Sequence, residues 1–599
     1  MKINRILISG LNFNVWSQFP RLRFGSILLA LSFASCVQAD TLPGKTLQPV
    51  RFDQVSVTGE LYQRAMKNFD RLETDIYYPE NVFPKQHHPS SAGWPGDKEG
   101  RTMLGLVLEA QATHRTPKYL AEMIRILPEK LNRKGYLGPV QGDTIDEQQL
   151  SGHGWLLRAL CEYYQWKKDP KVKAYIRGII DNLALPTKGH HRNYPINPAE
   201  RVAGKGEMSG SSANVVNGWK LSTDVGCDFI FMDGVVQAYG LFPSKEEKSL
   251  IDEMMARFLE MDLVGMKAQT HATLTGLRAA LRYFEITGRK DLLPEVEKRY
   301  KLYREQAMTE NYENYNWFER PEWTEPCAIV DSYLVAMQLW QYTQHPVYLE
   351  DAQHIYYNAI GLTQRANGGF GCDNCPGPKE NTVSVKANEA FWCCTMRGGE
   401  GLAKAVQYSY FSFGDTLLVP SFNSGSLKLK MNGSQFTLGQ QTAYPFDNKV
   451  NFKIERLAKP MILNLKLFVP DWIQNPVLMI NHKSVLFQVK KQFVVISVNV
   501  QSGDVIDYSF AMKSGIEGLA NRLHTKAGDV RLFYGPLLLG YQGDTEITIP
   551  KNVTVVKDSS NGFQLKGTDY VLSPVYHLMD AKVCQGEYRK QILFKQTLK

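Results

Sequence analysis

The 599-residue sequence predicts a multidomain protein in which an (α/α)6 toroid is followed by a C-terminal β-sandwich. Three observations support this fold class. Between about residues 53 and 410 the apolar residues recur with helical spacing. The predicted helices come in pairs connected by similar short turns, which indicates stacked helical hairpins. Near residue 412 the period of the apolar residues changes to two, as in strands that bury one face.

Residues 1–39 have the pattern of an export signal. Two arginines precede a short apolar stretch, and a Val-Gln-Ala cleavage site ends at Ala39. The apolar stretch is too short to span a membrane. Cys36 offers an alternative, lipid attachment after Ala34-Ser35. We therefore expect a mature protein that is periplasmic, surface-anchored or secreted, with no transmembrane segment.

The helical domain is predicted over residues 40–411. Its hairpin turns lie at 115–117, 168–170, 287–289 and 344–346. An α-solenoid is an alternative to the toroid, but a solenoid keeps its connections short. The long irregular stretches at 138–146 and 187–224 favour the toroid, and loops of that length more often build a site.

Alternating apolar residues after residue 412 predict a β-sandwich over 412–520. Turn residues such as Asn432-Gly433 separate its strands. Residues 521–599 are also predicted to be strands. The pattern leaves open whether they complete the sandwich or form a second small β module.

Composition and charge exclude some classes of function. The net charge falls from +9 to +5 without the leader, and this mild, dispersed charge argues against a nucleic-acid partner. Only nine cysteines occur in the chain, so the fold does not depend on disulfides. The chain contains 28 Phe, 29 Tyr and 10 Trp residues, and a pocketed toroid rich in aromatic residues favours a carbohydrate partner.

Two short segments combine four metal-binding side chains: Glu325-Pro326-Cys327 and Cys393-Cys394. Adjacent Cα atoms lie about 3.8 Å apart, too close for an unstrained disulfide between neighbours. Each thiol could instead pair with a distant cysteine. Pro326 is expected to open a helix over 328–341, and the cysteine pair precedes a second helix, over 399–410, whose N-terminus favours thiolate. Three thiolates and a carboxylate suit Zn²⁺.

Further motifs occur in a characteristic order along the chain. They are Gly152-His153, His271-Ala272-Thr273, Thr324-Glu325-Pro326-Cys327, Phe391-Trp392-Cys393-Cys394, Tyr444-Pro445-Phe446 and Val469-Pro470-Asp471-Trp472. In these motifs the chain resembles family 127 of the glycoside hydrolases and its relatives, the β-L-arabinofuranosidase-like enzymes, from about residue 94 to 578. The Glu-x-Cys followed by Cys-Cys is the most specific part of the resemblance.

The resemblance implies a zinc site and a cysteine nucleophile. Glu325, Cys327, Cys393 and Cys394 would bind zinc, and Cys393 would attack the sugar to form a thioglycosyl intermediate. Retention of configuration needs a second carboxyl, first as acid and then as base. By its place about fifteen residues before the Glu-x-Cys, Glu310 is the choice for this role.

Two alternatives for the predicted catalytic groups stay open. Glu313 competes with Glu310 for the acid/base role, and either could be an ordinary solvated carboxylate of a loop. Cys372 and Cys375 form a CxxC motif, for which we expect a local disulfide; the alternative is that this motif lends a ligand to the zinc.

Five further residues are candidates for contact with a sugar. His153 and His271 resemble family positions that line the pocket, although a histidine at a helix start is also often a cap or a core residue. Trp94 and Asp97 could stack on a sugar and hydrogen-bond to it. The family pattern continues after the cysteine pair with Pro-Pro-Asn, whereas this chain has Thr395-Met396-Arg397, so Arg397 is a candidate for a changed subsite that reads a different sugar.

The leading hypothesis is an exported, zinc-dependent, retaining exo-glycosidase that acts on β-L-arabinofuranosides or related plant or algal glycan fragments. A second hypothesis is another toroid-fold enzyme, such as an uronide hydrolase or a polysaccharide lyase, in which the cysteines are structural. A third is a carbohydrate-binding protein without turnover. Loss of activity in Cys393→Ala would separate the first hypothesis from the second.

Overall fold

The computed structural model describes residues 47–83, 94–201, 209–377, 380–431, 433–519, 528–558, 562–579 and 586–597. They belong to one compact unit that spans residues 43–599. The predicted export signal and Cys36 lie outside the described residues. Within the described ranges, no helix combines the length and the apolar character that a bilayer span requires.

Twelve helices of ten or more residues occur in the described part of the chain. They are α1 (Gly59–Leu72), α2 (Asp97–Thr113), α3 (Leu120–Lys130), α4 (Glu147–Lys167), α5 (Pro170–Ile179), α6 (Asp228–Leu241), α7 (Lys245–Glu260), α8 (Thr270–Thr287), α9 (Leu292–Gln306), α10 (Pro326–Thr343), α11 (Pro346–Ile355) and α12 (Cys394–Gln407).

The even-numbered helices form a closed inner ring. Helix α2 packs on α4, α4 on α6, α6 on α8, α8 on α10, α10 on α12, and α12 returns to α2. The odd-numbered helices α3, α5, α7, α9 and α11 each pack on the inner helix that precedes them, and α1 packs on α12 and α2. The predicted (α/α)6 toroid followed by β-sheet is therefore confirmed.

Burial explains which helices are inner and which are outer. In α4 every residue from Glu147 to Cys161 is buried, whereas α5 buries only Val172, Ile176 and Ile179. An outer helix thus needs one apolar stripe, while an inner helix is enclosed on all sides. The glycines of α4 and α6 allow close packing, because a Cβ at Gly234 would lie only 2.5 Å from the carbonyl oxygen of Gly154.

Two sheets form the β-sandwich that follows the toroid. One has the strand order Gln48–Pro49, Phe411–Phe413, Thr416–Val419, Met461–Phe468, Phe493–Val500 and Gln488–Lys490. The other has the order Lys483–Ser484, Ile473–Ile480, Val505–Met512, Lys449–Leu457, Ser434–Thr442, Gly425–Met431 and Val55–Val57. The chain therefore contributes an edge strand to each sheet before it enters α1.

The C-terminal strands form a third sheet. Its order is Thr548–Ile549, Phe594–Gln596, Asp529–Tyr534, Leu537–Tyr541, Val571–Pro574, Phe563–Leu565 and Val555–Lys557. Three more strands join this sheet at its sides: Ser514–Gly518, Tyr588–Gln591 and, from the connection between α11 and α12, Thr382–Val385. The third sheet has an apolar core of its own that includes Leu532, Leu539 and Phe563.

Short strands also occur in the connections that lead into α4 and into α6. Ile145–Asp146, Trp219–Ser222 and Ser212–Val216 form a small sheet of three strands. This sheet lies on the side of the ring where α4 and α6 begin. Residues 145–146 immediately precede α4, and the predicted irregular stretch 187–224 contains the other two strands.

Candidate active site and metal centre

The candidate site lies where the inner helices begin. Because every inner helix is followed by an antiparallel outer helix, all inner helices run in the same direction and their N-termini share one mouth of the ring. Asp97 is the first residue of α2, His271 the second of α8, Cys327 the second of α10 and Cys394 the first of α12. Side chains far apart in the sequence therefore converge at this mouth.

The local sequence explains two of these helix starts. Glu325 has an extended backbone and Pro326 is the first residue of α10, as the sequence predicts. Helix α12 begins at Cys394, five residues before the predicted start at 399. Cys393 is thus the residue that caps α12, and Cys394 lies inside its first turn.

Three thiols form the centre of the site. The sulfur atoms of Cys327, Cys393 and Cys394 all lie within 4.8 Å of one another. The Cys393–Cys394 distance is 3.3 Å and the Cys327–Cys394 distance is 3.7 Å. Cys327 and Cys394 are buried and Cys393 is partly exposed, so Cys393 is the thiol that faces the mouth of the ring.

A second group shares Cys327 with the thiol cluster. His271, Glu325 and Cys327 also place their ligand atoms within 4.8 Å of one another. The Nδ1 atom of His271 lies 3.3 Å from Glu325 Oε1, and its Nε2 atom lies 3.3 Å from Asp331 Oδ2. Since both ring nitrogens lie beside carboxylates, His271 is placed to orient Glu325, and it is also one of the residues that could hold a metal ion.

Electrostatics separate the three thiols. Hydrogen bonds from the Cys327 and Cys394 thiols lower the pKa of Cys393 to about 6, and the nearby Arg101 guanidinium acts in the same direction. Burial raises the pKa of Cys327 to about 12 and that of Cys394 well above its usual value. Arg101 also donates to Cys327 Sγ at 3.4 Å. Cys393 is therefore the thiol most readily converted to thiolate.

The donor set fits zinc. Structural and catalytic zinc sites use thiolate, imidazole and carboxylate ligands in groups of three or four. Three sulfurs meet that requirement here, and the carboxylate of Glu325 lies beside Cys327.

The expected disulfide in the CxxC motif is wrong. All seven described cysteines are free, including Cys372 and Cys375. The Cys372 sulfur lies 4.0 Å from Cys394 Sγ, and the Cys375 thiol faces the carbonyl oxygen of Asn314 at 3.7 Å. The two thiols thus face different partners, and Cys372 lies at the edge of the thiol cluster.

The two candidate acid/base residues lie in different surroundings. Both are buried in the segment that connects α9 to α10. The backbone carbonyl of Glu310 accepts a hydrogen bond from Arg531 at 2.6 Å, and its Oε2 atom lies 3.6 Å from the same guanidinium. Glu313 accepts from Asn311 at 2.7 Å, and burial, together with the nearby Asp373, raises its pKa well above the usual value. The choice between them stays a prediction.

His153 connects the loop around Leu137 to α4 by a hydrogen bond. Its Nε2 atom accepts a hydrogen bond from the backbone N–H of Leu137 at 2.9 Å, and its Nδ1 atom lies 2.7 Å from the carbonyl oxygen of Gln149. Burial lowers the pKa of His153 to about 4, so the ring is neutral. Its role in sugar binding stays a prediction, as does that of His271.

Trp94 and Asp97 lie at the start of α2. The indole N–H of Trp94 donates to the carbonyl oxygen of Gly210 at 3.1 Å, and the Asp97 carboxylate pairs with Arg101 at 2.8 Å. Asp97 thereby holds Arg101 beside the thiols. Whether either residue touches a sugar stays a prediction.

Arg397 lies in the centre of the ring rather than at the mouth. Its guanidinium is buried, pairs with Asp331 at 2.5 Å, contacts Glu400 and covers the ring of Trp155 at 4.3 Å. Its charge is thus taken up by carboxylates of α10 and α12. The predicted sugar contact of Arg397 stays a prediction, and the departure from the family pattern has a structural explanation.

Sequence reasoning missed three residues that surround the site. Asp331 lies four residues after Cys327, and Arg101 lies four residues after Asp97, so helical spacing places each pair on one face and could have revealed both. Trp155 stacks on His271 with ring centroids 5.5 Å apart. No local pattern marks Trp155, because its contact depends on how α4 packs against α8.

Comparisons with known proteins agree with this architecture. Residues 416–512 match the family model described as "Beta-L-arabinofuranosidase, GH127 middle domain". A solved GH127 beta-arabinofuranosidase has a TM-score of 0.69 and 15% identity, over 93% of this chain and 98% of that chain. A GH127 beta-L-arabinofuranosidase from Geobacillus stearothermophilus T6 has a TM-score of 0.67 and 13% identity, over 91% and 100%. The comparison with curated proteins finds no match.

At such identities the solved structures establish the fold, and the family model identifies the middle part of the chain. The resemblance to glycoside hydrolase family 127 is therefore confirmed: residues 416–512 match the GH127 middle-domain model, in a chain with the fold of the GH127 β-L-arabinofuranosidases.

Proposed function

We propose that this protein is an exported retaining glycoside hydrolase that releases L-arabinofuranose-type sugars from β-L-arabinofuranosides or related glycan fragments. One observation carries the proposal. Three thiols lie within 4.8 Å of one another at the mouth of a toroid whose fold is that of GH127 β-L-arabinofuranosidases. A cluster of free thiols of this kind is the donor set of a metal site rather than of a disulfide.

Glu325, Cys327, Cys393 and Cys394 would hold a zinc ion. Zinc bound there would keep the sulfurs deprotonated at neutral pH. The protein's own groups support the same set: Gln269 Nε2 lies 3.4 Å from Glu325 Oε2, and the backbone N–H of Glu325 donates to Asn314 at 3.1 Å. His271 completes this support, and together these contacts fix the direction of the Glu325 carboxylate.

Cys393 is the proposed nucleophile. Its sulfur attacks the anomeric carbon as the bond to the leaving oxygen breaks, and a carboxyl group donates its proton to that oxygen. The resulting thioglycosyl bond is then cleaved by water, which gives a proton back to the same carboxylate and restores the Cys393 thiolate. Two displacements at one carbon retain its configuration.

Glu310 is the proposed carboxyl group in both steps. It lies in the connection that leads into α10, fifteen residues before Glu325. The absence of a side chain at Gly377 leaves space beside it, since a Cβ there would lie 3.5 Å from Glu310 Cγ. Glu313 is the alternative, and matched variants of the two residues separate them.

The test compares Cys393→Ala with Cys375→Ala, a matched variant of a buried thiol that faces Asn314 instead of the cluster. Free sugar released from aryl and oligosaccharide β-L-arabinofuranosides is measured beside bound zinc. We expect wild type and Cys375→Ala to release sugar, and Cys393→Ala to lose about 10⁴-fold or more of the rate, as removal of a nucleophile does.

Two results would overturn the proposal. Undiminished hydrolysis by Cys393→Ala would mean that another residue is the nucleophile and that the cysteines are structural. Glycan binding without any release of sugar by the zinc-loaded wild type would mean that the protein is a carbohydrate-binding protein.

A further inference from the structure

A cavity of about 390 Å³ lies where the toroid, the sandwich and the third sheet meet. Its walls come from the start of α1, the turn after α11, two sandwich loops and the segment around Tyr576. None of these residues belongs to the thiol cluster or to the His271–Glu325 group. The volume falls within the range of small-ligand pockets, about 300 to 1,000 Å³, and junctions between domains are common places for them.

Six of the residues that line the cavity are aromatic. Tyr357 lies between Tyr444 and Tyr576, with centroid distances of 6.0 Å and 5.3 Å, and Phe446 lies 6.1 Å from Tyr576. Each ring meets its neighbour edge-on or tilted rather than stacked. These side chains give the cavity an apolar lining that suits the C–H surface of a ligand.

A hydrogen-bond network holds the aromatic wall in place. The Tyr444 hydroxyl donates to Gln353 at 2.9 Å and accepts from the indole N–H of Trp472 at 3.0 Å. Tyr444 and Trp472 belong to the two motifs of the sandwich whose purpose the catalytic site leaves unexplained. Their joint role is to fix one wall of this cavity.

Two residues that line the cavity each have a polar group with no hydrogen-bond partner among the described residues. Among the described residues, none accepts a hydrogen bond from the Tyr357 hydroxyl, although the residue is only 5% exposed. Burial raises the pKa of Tyr357 well above its usual value, so the phenol keeps its proton and can donate. The Asn423 amide donates to Ser409 at 3.1 Å, and within the described chain its carbonyl oxygen receives no hydrogen bond.

The charges of the cavity are already balanced. Glu60 pairs with the buried Arg64 at 3.0 Å and also accepts from the backbone N–H of Met579 at 2.9 Å. Arg64 is covered by the Tyr576 ring at 4.6 Å. No charge remains for a charged ligand to pair with among these groups, so the site suits a neutral molecule that has both apolar faces and hydroxyl groups.

We infer that this cavity is a second carbohydrate-binding site that takes a neutral mono- or disaccharide. Sugar C–H groups would pack against the apolar lining that includes Tyr357 and Phe446, while sugar hydroxyls would bond to the Tyr357 phenol and the Asn423 carbonyl. The inference does not rest on the proposed catalytic mechanism, because the two sites share no residue.

Saturation-transfer NMR with the full-length mature protein tests this site. The probes are L-arabinose, D-galactose, D-xylose, cellobiose and lactose, with D-glucuronic acid as the charged counterpart. Tyr357→Phe removes one hydroxyl and keeps the packing, and Asn423→Ala removes the amide. Tyr163→Phe is the matched control, since Tyr163 lines a different cavity at the opposite end of the inner helices.

We expect at least one neutral probe to bind the wild type, Tyr163→Phe and Cys393→Ala alike. The affinity of Tyr357→Phe and of Asn423→Ala for that probe should fall about tenfold, which corresponds to the loss of one good hydrogen bond. D-Glucuronic acid should not bind there. The inference is overturned if no neutral probe binds, or if both pocket variants bind as the wild type does. Loss of sugar release in Cys393→Ala tests the catalytic proposal separately.

Discussion

Among single residues, the carboxyl groups near α10 offer the clearest test of mechanism. Glu310→Gln should lower kcat/KM about 10²- to 10⁴-fold, the usual range for loss of an acid/base group. The loss should be smaller with aryl substrates whose leaving group needs no proton. Glu313→Gln keeps the shape of the Glu313 side chain and an oxygen that can accept the hydrogen bond from Asn311. The kcat/KM of this variant should therefore stay near the wild-type value.

Hydrolysis rates over a series of aryl leaving groups measure this contrast. Azide, which needs no general base, should restore turnover of Glu310→Gln with the activated aryl substrates. If Glu313→Gln shows the leaving-group dependence instead, Glu313 is the acid/base residue and its raised pKa becomes part of the mechanism.

A second carboxyl group, Glu99, makes stability depend on pH. Burial raises the pKa of Glu99 to about 7, although its Oε2 atom accepts from the Gly96 backbone N–H at 3.1 Å. The unfolded value is about 4.3. Between these values the folded state binds more protons than the unfolded state, so stability falls as pH rises through this window and stays lower above it.

Glu99→Gln removes this dependence. The wild type loses stability as pH rises from 4 toward 8, whereas the variant does not. The difference in free energy of unfolding between them should therefore grow in favour of the variant by about 1.4 kcal/mol for each unit by which the folded pKa of Glu99 exceeds its unfolded pKa. Thermal unfolding at several pH values measures the gain. Glu129→Gln, on an exposed side chain, is the control and should show no such trend. An equal gain at all pH values would contradict the assignment.

Local sequence predicted only part of the candidate site. The Glu-x-Cys and Cys-Cys segments could be recognised because Pro326 sets a helix start and adjacent thiols cannot pair. The pairing of Arg397 with Asp331 could not be predicted, since Asp331 comes from another helix. The contact of Arg397 with Glu400, three residues later in the same helix, follows from helical spacing. The CxxC disulfide was expected from spacing alone, but Cys372 faces Cys394 of α12 instead.

Among helices and strands, a close contact between two inner helices predicts where the ring tolerates no change. A Cβ at Gly234 of α6 would lie 2.5 Å from a backbone oxygen of α4. Backbone cannot yield as a flexible side chain can, so Gly234→Ala should destabilise the fold by about 1 to 3 kcal/mol or more. Denaturant unfolding measures the change.

Gly178, in the outer helix α5, is the matched control. A Cβ there would have its nearest contact at 3.4 Å, with the backbone oxygen of Gly135. Gly178→Ala should be neutral, or stabilising by up to about 1 kcal/mol through helix propensity. Equal effects of the two variants would show that helix packing at Gly234 is looser than the geometry implies.

Periodicity predicted the long elements and missed the short ones. Helices such as α8 and α10 have apolar residues over several turns, which gives a strong signal. The strands Gln48–Pro49 and Val55–Val57 have two and three residues, too few for any alternation to stand out. Thr382–Val385 is a strand only because Tyr588–Gln591 pairs with it, some two hundred residues later in the chain.

Across the whole molecule, a column of buried ion pairs runs along the axis of the toroid. Arg282 pairs with Asp233 at 3.1 Å, and Asp233 pairs with Arg158 at 3.0 Å. Glu400 pairs both with Arg158 at 2.6 Å and with Arg278 at 2.7 Å. Through Asp331, Arg278 connects this column to His271 and the candidate metal centre. Buried charges require such partners, so the ring and the site depend on each other.

The third sheet also reaches the site, through Arg531. This residue is 3% exposed, covers the Tyr312 ring at 5.1 Å and donates to Glu517 at 3.0 Å as well as to the Glu310 carbonyl. One guanidinium therefore positions the whole Glu310 segment from another part of the molecule. Arg531→Met removes these hydrogen bonds and keeps much of the side-chain volume.

We expect Arg531→Met to lower kcat about 10- to 100-fold, because a displacement of about 1 Å in a catalytic group can cost that much. Bound zinc should stay unchanged, since Arg531 touches none of the thiols. Arg531→Lys should recover part of the rate by restoring one donor. Lys595→Met, at an exposed position in a neighbouring strand of the same sheet, is the control and should act like the wild type. Steady-state kinetics measure kcat, and the zinc content of each variant is determined on the same samples. A loss of zinc in parallel with kcat would mean that Arg531 acts on the fold as a whole rather than on Glu310.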